Sequence, residues 1–123
     1  MNRFALLALL LVSPAAFAAE PVAGWTPSAM MKVKRIGSVM PSPDGKRVAY
    51  TVREAVTEEL RSEYVAQIHL ADADGSHPLQ LTRGTHTADN PQWSPDGQSI
   101  AFASNRTGQS NIHLIPVAGG EAE

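Results

Sequence analysis

Cysteine is absent from this 123-residue chain, so no disulfide braces it and its stability has to come from packing. Neither sign of charge is in excess: 10 Lys and Arg face 12 Asp and Glu, a formal net charge of −2. That balance creates no field to attract nucleic acid or an anionic membrane surface. Long apolar runs are nearly absent too. One near the N-terminus is the sole candidate, and it is shorter than the roughly 20 residues a membrane-spanning helix needs.

That run has the anatomy of an export signal. Arg3 supplies the positive start, Phe4 to Val12 is unbroken and apolar, and Ser13-Pro14 stops a helix. Ala16-Phe17-Ala18 then fits the small-x-small pattern read by signal peptidase. The alternatives are an uncleaved anchor or a buried helix. Cleavage between Ala18 and Ala19 is predicted, which makes the product exported, periplasmic or secreted, and free of the membrane. Of the 123 residues, 105 remain after cleavage, enough for one small domain, and the loss of Arg3 takes the net charge to −3.

What the chain does have is an internal repeat. Ser42-Pro43-Asp44-Gly45-Lys46-Arg47-Val48-Ala49-Tyr50 recurs 52 residues later as Ser94-Pro95-Asp96-Gly97-Gln98-Ser99-Ile100-Ala101-Phe102. Ile68-His69-Leu70 recurs as Ile112-His113-Leu114 at an offset of 44, so the first copy holds eight extra residues, read as a loop insertion. Proline presets φ at the second turn position, Asp tolerates the third, and glycine takes the positive φ that follows. Ser-Pro-Asp-Gly is therefore a hairpin turn. After it, Val48, Tyr50 and Val52 alternate with Ala49 and Thr51, and Ile100 and Phe102 with Ala101 and Ala103. Period two with large residues on one face and small ones on the other predicts a strand buried on both sides, in closely stacked sheets.

Third strands are predicted at residues 65–71 and 111–117, and a short fourth at 78–82, with Asp74-Gly75 and Gly119-Gly120 as the turns between. Four antiparallel strands per repeat of this length make the blade of a β-propeller. A β-sandwich could use such strands but would not repeat its turn at a fixed step. Ahead of the first blade, Thr26-Pro27 is a helix N-cap and first turn, and Lys32 and Lys34 suit the helix end. Met30, Met31 and Val33 are expected as core contacts, with Trp25 packed nearby.

The fold class expected is thus all-β: an incomplete β-propeller of nearly two four-stranded antiparallel blades, preceded by a signal peptide and a short helix. The divisions are 1–18 signal, 19–34 lead-in with the helix, and 35–123 two blades, the second incomplete. Fewer than two blades cannot close a ring, and the second would present an unpaired edge, so the chain reads as a fragment.

Ser-Pro-Asp-Gly-x-x-Ile-Ala-Phe followed by Ser104-Asn105-Arg106 and Ile112-x-Leu114 resembles the Tol-type propeller repeat. The order of parts is more specific. A signal peptide, Trp25-Thr26-Pro27, then Lys34-Arg35-Ile36-Gly37-Ser38 leading into the first Ser-Pro-Asp-Gly, is similar to the prolyl oligopeptidase family, in its acylaminoacyl-peptidase and dipeptidyl-peptidase branch. Leu79-Gln80-Leu81-Thr82 and Asn90-Pro91-Gln92-Trp93-Ser94 fit that branch as well. The resemblance implies an N-terminal propeller gating peptide access to a C-terminal α/β-hydrolase domain with a Ser-Asp-His triad. Partners would then be the rest of the propeller, that hydrolase domain and peptide substrates. No triad residue can be carried onto this sequence. The alternative is a non-enzymatic Tol-type periplasmic propeller that binds partner proteins.

No catalytic, cofactor-binding or metal-binding residue is assigned. Gly108-Gln109-Ser110-Asn111-Ile112 comes nearest to a nucleophile elbow, but it lacks the second glycine and the strand-to-helix turn. His69 and His113 hold the same place in successive repeats, which argues for packing, and neither they nor His77 and His86 show a zinc spacing. Glu58-Glu59 lies in the insertion. The resemblance suggests a grip on a substrate's α-amino group, since dipeptidyl peptidases use a glutamate pair that way. That pair comes from a later blade, however, and a charged run with Arg53 and Arg61 is usually a solvated face. Asn105-Arg106-Thr107 matches a glycosylation acceptor and is read as a hairpin tip.

Overall fold

The computed structural model describes residues 24, 26–58, 61–120 and 122–123. The predicted signal peptide, its cleavage site and Trp25 lie outside the described residues. A short helix, α1 (Pro27–Met31), leads into seven strands. These are β1 (Arg35–Pro41), β2 (Arg47–Glu58), β3 (Arg61–Asp72), β4 (Leu79–Gln80), β5 (Ala88–Trp93), β6 (Ser99–Ser104) and β7 (Asn111–Pro116). They form two antiparallel sheets in chain order, β1-β2-β3-β4 and β5-β6-β7. Among the described residues the stack is unclosed.

The two Ser-Pro-Asp-Gly turns are built alike. In the first, Ser42 Oγ donates to Asp44 Oδ1 and accepts from the Arg47 N–H at 3.0 Å, while Asp44 Oδ1 accepts from the Lys46 N–H at 3.0 Å. Ser94, Asp96, Gln98 and Ser99 repeat all three bonds in the second. Gly45 and Gly97 both sit at φ +70°, where a Cβ would be strained. Each turn thus satisfies its own polar groups and fixes the register of the hairpin it closes.

The strand paired to β2 and the strand paired to β6 each carry a bulge, displaced by one residue between the repeats. Pairing with β2 skips a residue between Ile36 and Val39, and pairing with β6 skips one between Asp89 and Gln92. The eight extra residues of the first repeat do not form a loop. Pairs from Glu54↔Val65 to Glu58↔Arg61 continue the β2–β3 ladder without a break, so both strands reach 12 residues against six in β6 and β7. Valine, threonine and tyrosine in this segment favour that extended pairing.

The core lies between the sheets. Ala49, Ile68 and Leu70 from the first share it with Ala88, Ile100, Phe102, Ile115 and Val117 from the second. Ala49 and Ala88 are the small members of that core and Phe102 its largest. Further links are polar: Trp93 Nε1 donates to the Met40 carbonyl at 2.9 Å, and Arg53 pairs with Asp89 at 2.8 Å. Gln67 pins the connection to the second sheet. Its Nε2 donates to the Gly84 and His86 carbonyls, and its Oε1 accepts from Thr82 Oγ1.

One expectation fails at the lead-in. Thr26 caps α1 through its hydroxyl, 3.1 Å from the Ala29 N–H, with Pro27 in the first turn as expected. Met30, Met31 and Val33 are exposed and not core contacts. The five-residue helix lies beside the far part of the β2–β3 hairpin, with open grooves between them that Met30, Met31 and Val33 line.

Candidate functional site

Antiparallel topology sorts the loops onto two ends of the stack. The Ser-Pro-Asp-Gly turns and the β3–β4 turn lie at one end; α1, the far end of the β2–β3 hairpin and the β4–β5 connection lie at the other. At the second end an open groove of about 630 Å³ runs between α1 and the hairpin. Ser28, Met31, Lys34, Glu54 and Thr57 line it, and Lys34 Nζ meets Glu54 Oε2 across it at 2.9 Å. Both partners are well exposed, so the ion pair contributes little stability and mainly closes one side of the groove. Arg35 lies over the Tyr64 ring at 5.9 Å on the neighbouring surface.

Glu58 ends β2, which places it at the far end of the projecting hairpin. Its side chain and Glu59 lie outside the described residues, so the α-amino grip remains an expectation. Ser110 is exposed in the turn before β7, a hairpin connection and not the strand-to-helix bend of a nucleophile elbow.

The histidines separate by role. His69 stacks on Tyr50 at 5.5 Å between centroids, and His113 on Phe102 at 5.9 Å, the same pair in each repeat. This is the packing role that their equivalent positions predict. Burial lowers the His69 pKa below 6.5, assisted by the charge of Lys34. His113 is buried and its Nε2 has no hydrogen-bond partner, but among the described residues no group of three His, Asp or Glu could hold a metal. His77 is exposed and pairs with Asp72 at 2.7 Å; His86 serves through its backbone carbonyl.

Arg106, read in the sequence only as part of a hairpin tip, folds back over the Phe102 ring at 5.4 Å. The repeated stretch Phe102…Arg106 carries no periodic signal for this contact, because the turn and not the strand positions the arginine. Gln67 was the more legible case: a lone amide inside the apolar run Val65–Ala71 implies bonded partners. The carboxyls of Asp44, Asp74 and Asp96 are held below 3.8, chiefly by the hydroxyls of Ser42, Ser76 and Ser94 and then by backbone N–H groups. Their shifts come from turn architecture, as the sequence implied, and not from a reactive centre.

No model of a known protein family matches the chain. Known proteins do. The sequence is 33% identical over 90 residues to dipeptidyl-peptidase 5 of Porphyromonas endodontalis, which covers 73% of this chain and 13% of that protein. It is 34% identical over 77 residues to the Tol-Pal system protein TolB of Xanthomonas campestris pv. campestris, covering 63% of this chain and 17% of that one. A solved acylaminoacyl peptidase, bound to Z-Gly-Gly-Phe-chloromethyl ketone, superposes with a TM-score of 0.64 at 20% identity over 80% of this chain and 15% of its own. That last likeness is one of fold. The chain spans about an eighth of the length of the peptidase it matches. Among the described residues no helix is long and apolar enough to cross a membrane.

Proposed function

We propose that these stacked sheets, a propeller region of the prolyl oligopeptidase family, are the gate of an exported serine peptidase. The observation that carries this is the 33% identity to dipeptidyl-peptidase 5 over 90 residues, 73% of the chain. The rest of the propeller and an α/β-hydrolase domain would complete the enzyme, and small peptides, not folded proteins, would be its substrates. The N-terminal signal supports export, with cleavage after Ala18 and residues 19–34 as lead-in.

In this assignment the chain's own residues bind and exclude; none attacks a bond. The lengthened β2–β3 hairpin projects from the end where the lead-in enters, and it is the element best placed to narrow a passage. Isolated residues 1–123 are expected to hydrolyse no peptide.

The similarity to TolB supports a second possibility, a non-enzymatic periplasmic propeller whose faces bind other proteins. A fluorophosphonate probe, which reacts with activated serines, separates the two. The native protein would be captured from its own cells with an antibody raised against this chain. Labelling of the captured polypeptide supports the peptidase. No labelling, with stoichiometric partner proteins recovered instead, replaces it with the binding propeller.

A further inference from the structure

Three cations meet where the lead-in joins the long hairpin: Lys34, Arg35 and Arg53. Lys34 is paired with Glu54 and Arg53 with Asp89, at 2.9 and 2.8 Å. Arg35 opens β1 directly opposite Arg53, so the two share one face of the sheet. Like charges so placed repel each other, and Asp89 neutralises only one of them. Among the described residues no carboxylate pairs with Arg35, whose guanidinium rests instead on the Tyr64 ring at 5.9 Å. That contact steadies the cation without using its N–H donors. An open groove of about 270 Å³ begins at the same guanidinium. Met30, Met31, Val33 and the Tyr64 ring line it, with Met30 60% and Tyr64 51% exposed. A contiguous apolar patch left in water marks a binding surface. On the other side of Arg35 a second groove is polar, bordered by Ser38, Arg53 and Asp89. Arg35 and Tyr64 share the sheet face of Ala49 and Leu70, so sheets stacked on the far face would leave the first groove open.

We propose that Arg35 and this groove dock the C-terminal end of a peptide whose last residue is apolar. The terminal side chain enters between Met30, Met31, Val33 and Tyr64, and the α-carboxylate meets Arg35. The preceding main chain runs toward Ser38 and Asp89, which can bond its amides. The charges select the ligand: one cation lacks its anion, and a guanidinium fork matches a carboxylate through two parallel bonds. A bound carboxylate also relieves the repulsion between Arg35 and Arg53. Methionines adapt to several shapes, so the groove selects apolar character and not one exact residue. A peptide end uses both grooves, whereas a fatty acid would leave the polar one idle. The proposal stands on these two grooves and not on the peptidase assignment.

Fluorescence anisotropy on the intact protein from its own cells tests it, after fluorophosphonate treatment so that hydrolysis does not interfere. The probe is fluorescein-Gly-Ser-Gly-Phe as the free acid, beside the same peptide ending in an amide. The acid should bind about 10- to 100-fold more tightly, the worth of hydrogen bonds to a charged group. Arg35→Gln, made in the same protein, should erase that preference and leave amide binding unchanged. Arg35→Lys should keep part of it, since the charge survives without the fork. Replacing the terminal Phe of the probe by Ser should weaken the acid about tenfold. Arg35 is exposed, and circular dichroism would verify that both variants stay folded. Equal binding of acid and amide, binding of neither, or an acid preference that Arg35→Gln retains overturns the proposal. Octanoate that displaces the peptide at equal concentration overturns it too, by making the site one for fatty acids.

Discussion

Leu70 and Leu114 occupy the same place in successive repeats, as do Ile68 and Ile112, yet the first of each pair is fully buried and the second is exposed. The same inversion runs through the preceding strand. In β2 the small residues Ala49 and Thr51 are buried and Val48 and Tyr50 only half so; in β6 the large Ile100 and Phe102 are buried and Ala101 and Ala103 half so. One strand pattern thus gives two burial outcomes. Each sheet offers a small-residue face and a large-residue face, and the order of stacking decides which is covered.

The largest expected effect tests that inversion directly. Leu70→Ala should cost about 2–5 kcal/mol, because it opens a cavity in the shared core. Leu114→Ala should stay within about 0.5 kcal/mol, as exposed substitutions do. Urea denaturation of the two variants measures both, and equal costs would break the comparison.

A second difference lies at the inner strands. A Cβ on Gly37 would stand 2.4 Å from Thr51 Oγ1, whereas the equivalent positions in the second sheet hold Asp89 and Ala103. The glycine and the threonine hydroxyl compensate one another. Gly37→Ala should therefore destabilise by about 1–3 kcal/mol through overpacking. Adding Thr51→Ala should recover part of that, since it recreates the room found beside Asp89. A double variant no better than the sum of the singles would refute the compensation.

The smallest expected effect concerns what the repeats share. Asp44 and Asp96 have folded pKa values below the ordinary 3.8, held there first by the Ser42 and Ser94 hydroxyls. A depressed folded value means that these carboxylates stabilise the fold fully above about pH 3.8, and that the contribution fades as pH falls through the lowered value. Ser42→Ala and Ser94→Ala should each raise the titration midpoint of the neighbouring carboxyl, and by matching amounts. Carboxyl chemical shifts followed through an acid titration would read this. Unequal shifts would mean that the two turns are alike in sequence alone.

Much of the fold was legible. The Ser-Pro-Asp-Gly turns, the alternation after them, the third strands and the α1 cap all correspond to observed elements, because each is set by bonds and sterics within a few residues. The insertion was legible as eight residues but not as paired strand, since its charged composition hides the valines and tyrosine that sustain the ladder. Met30, Met31 and Val33 were misjudged for a related reason. Apolar character predicts a wish for burial, while burial requires a surface positioned to supply it. At the candidate site, the packing role of His69 and His113 followed from their repeat positions, but the groove beside Lys34 and Glu54 did not, being formed by segments that only the fold brings together.

The sequence by itself determined where this chain turns and how its strands alternate. Proline fixes φ, glycine takes the positive φ, and serine and aspartate bond their own backbone, all without help from distant residues. Only the tertiary structure decided which face of each strand is inside, how far the β2–β3 hairpin projects, and that Arg106 lies over Phe102. Those outcomes depend on which neighbour stacks against which face, and a repeat that writes the same two faces twice leaves that choice to the stacking.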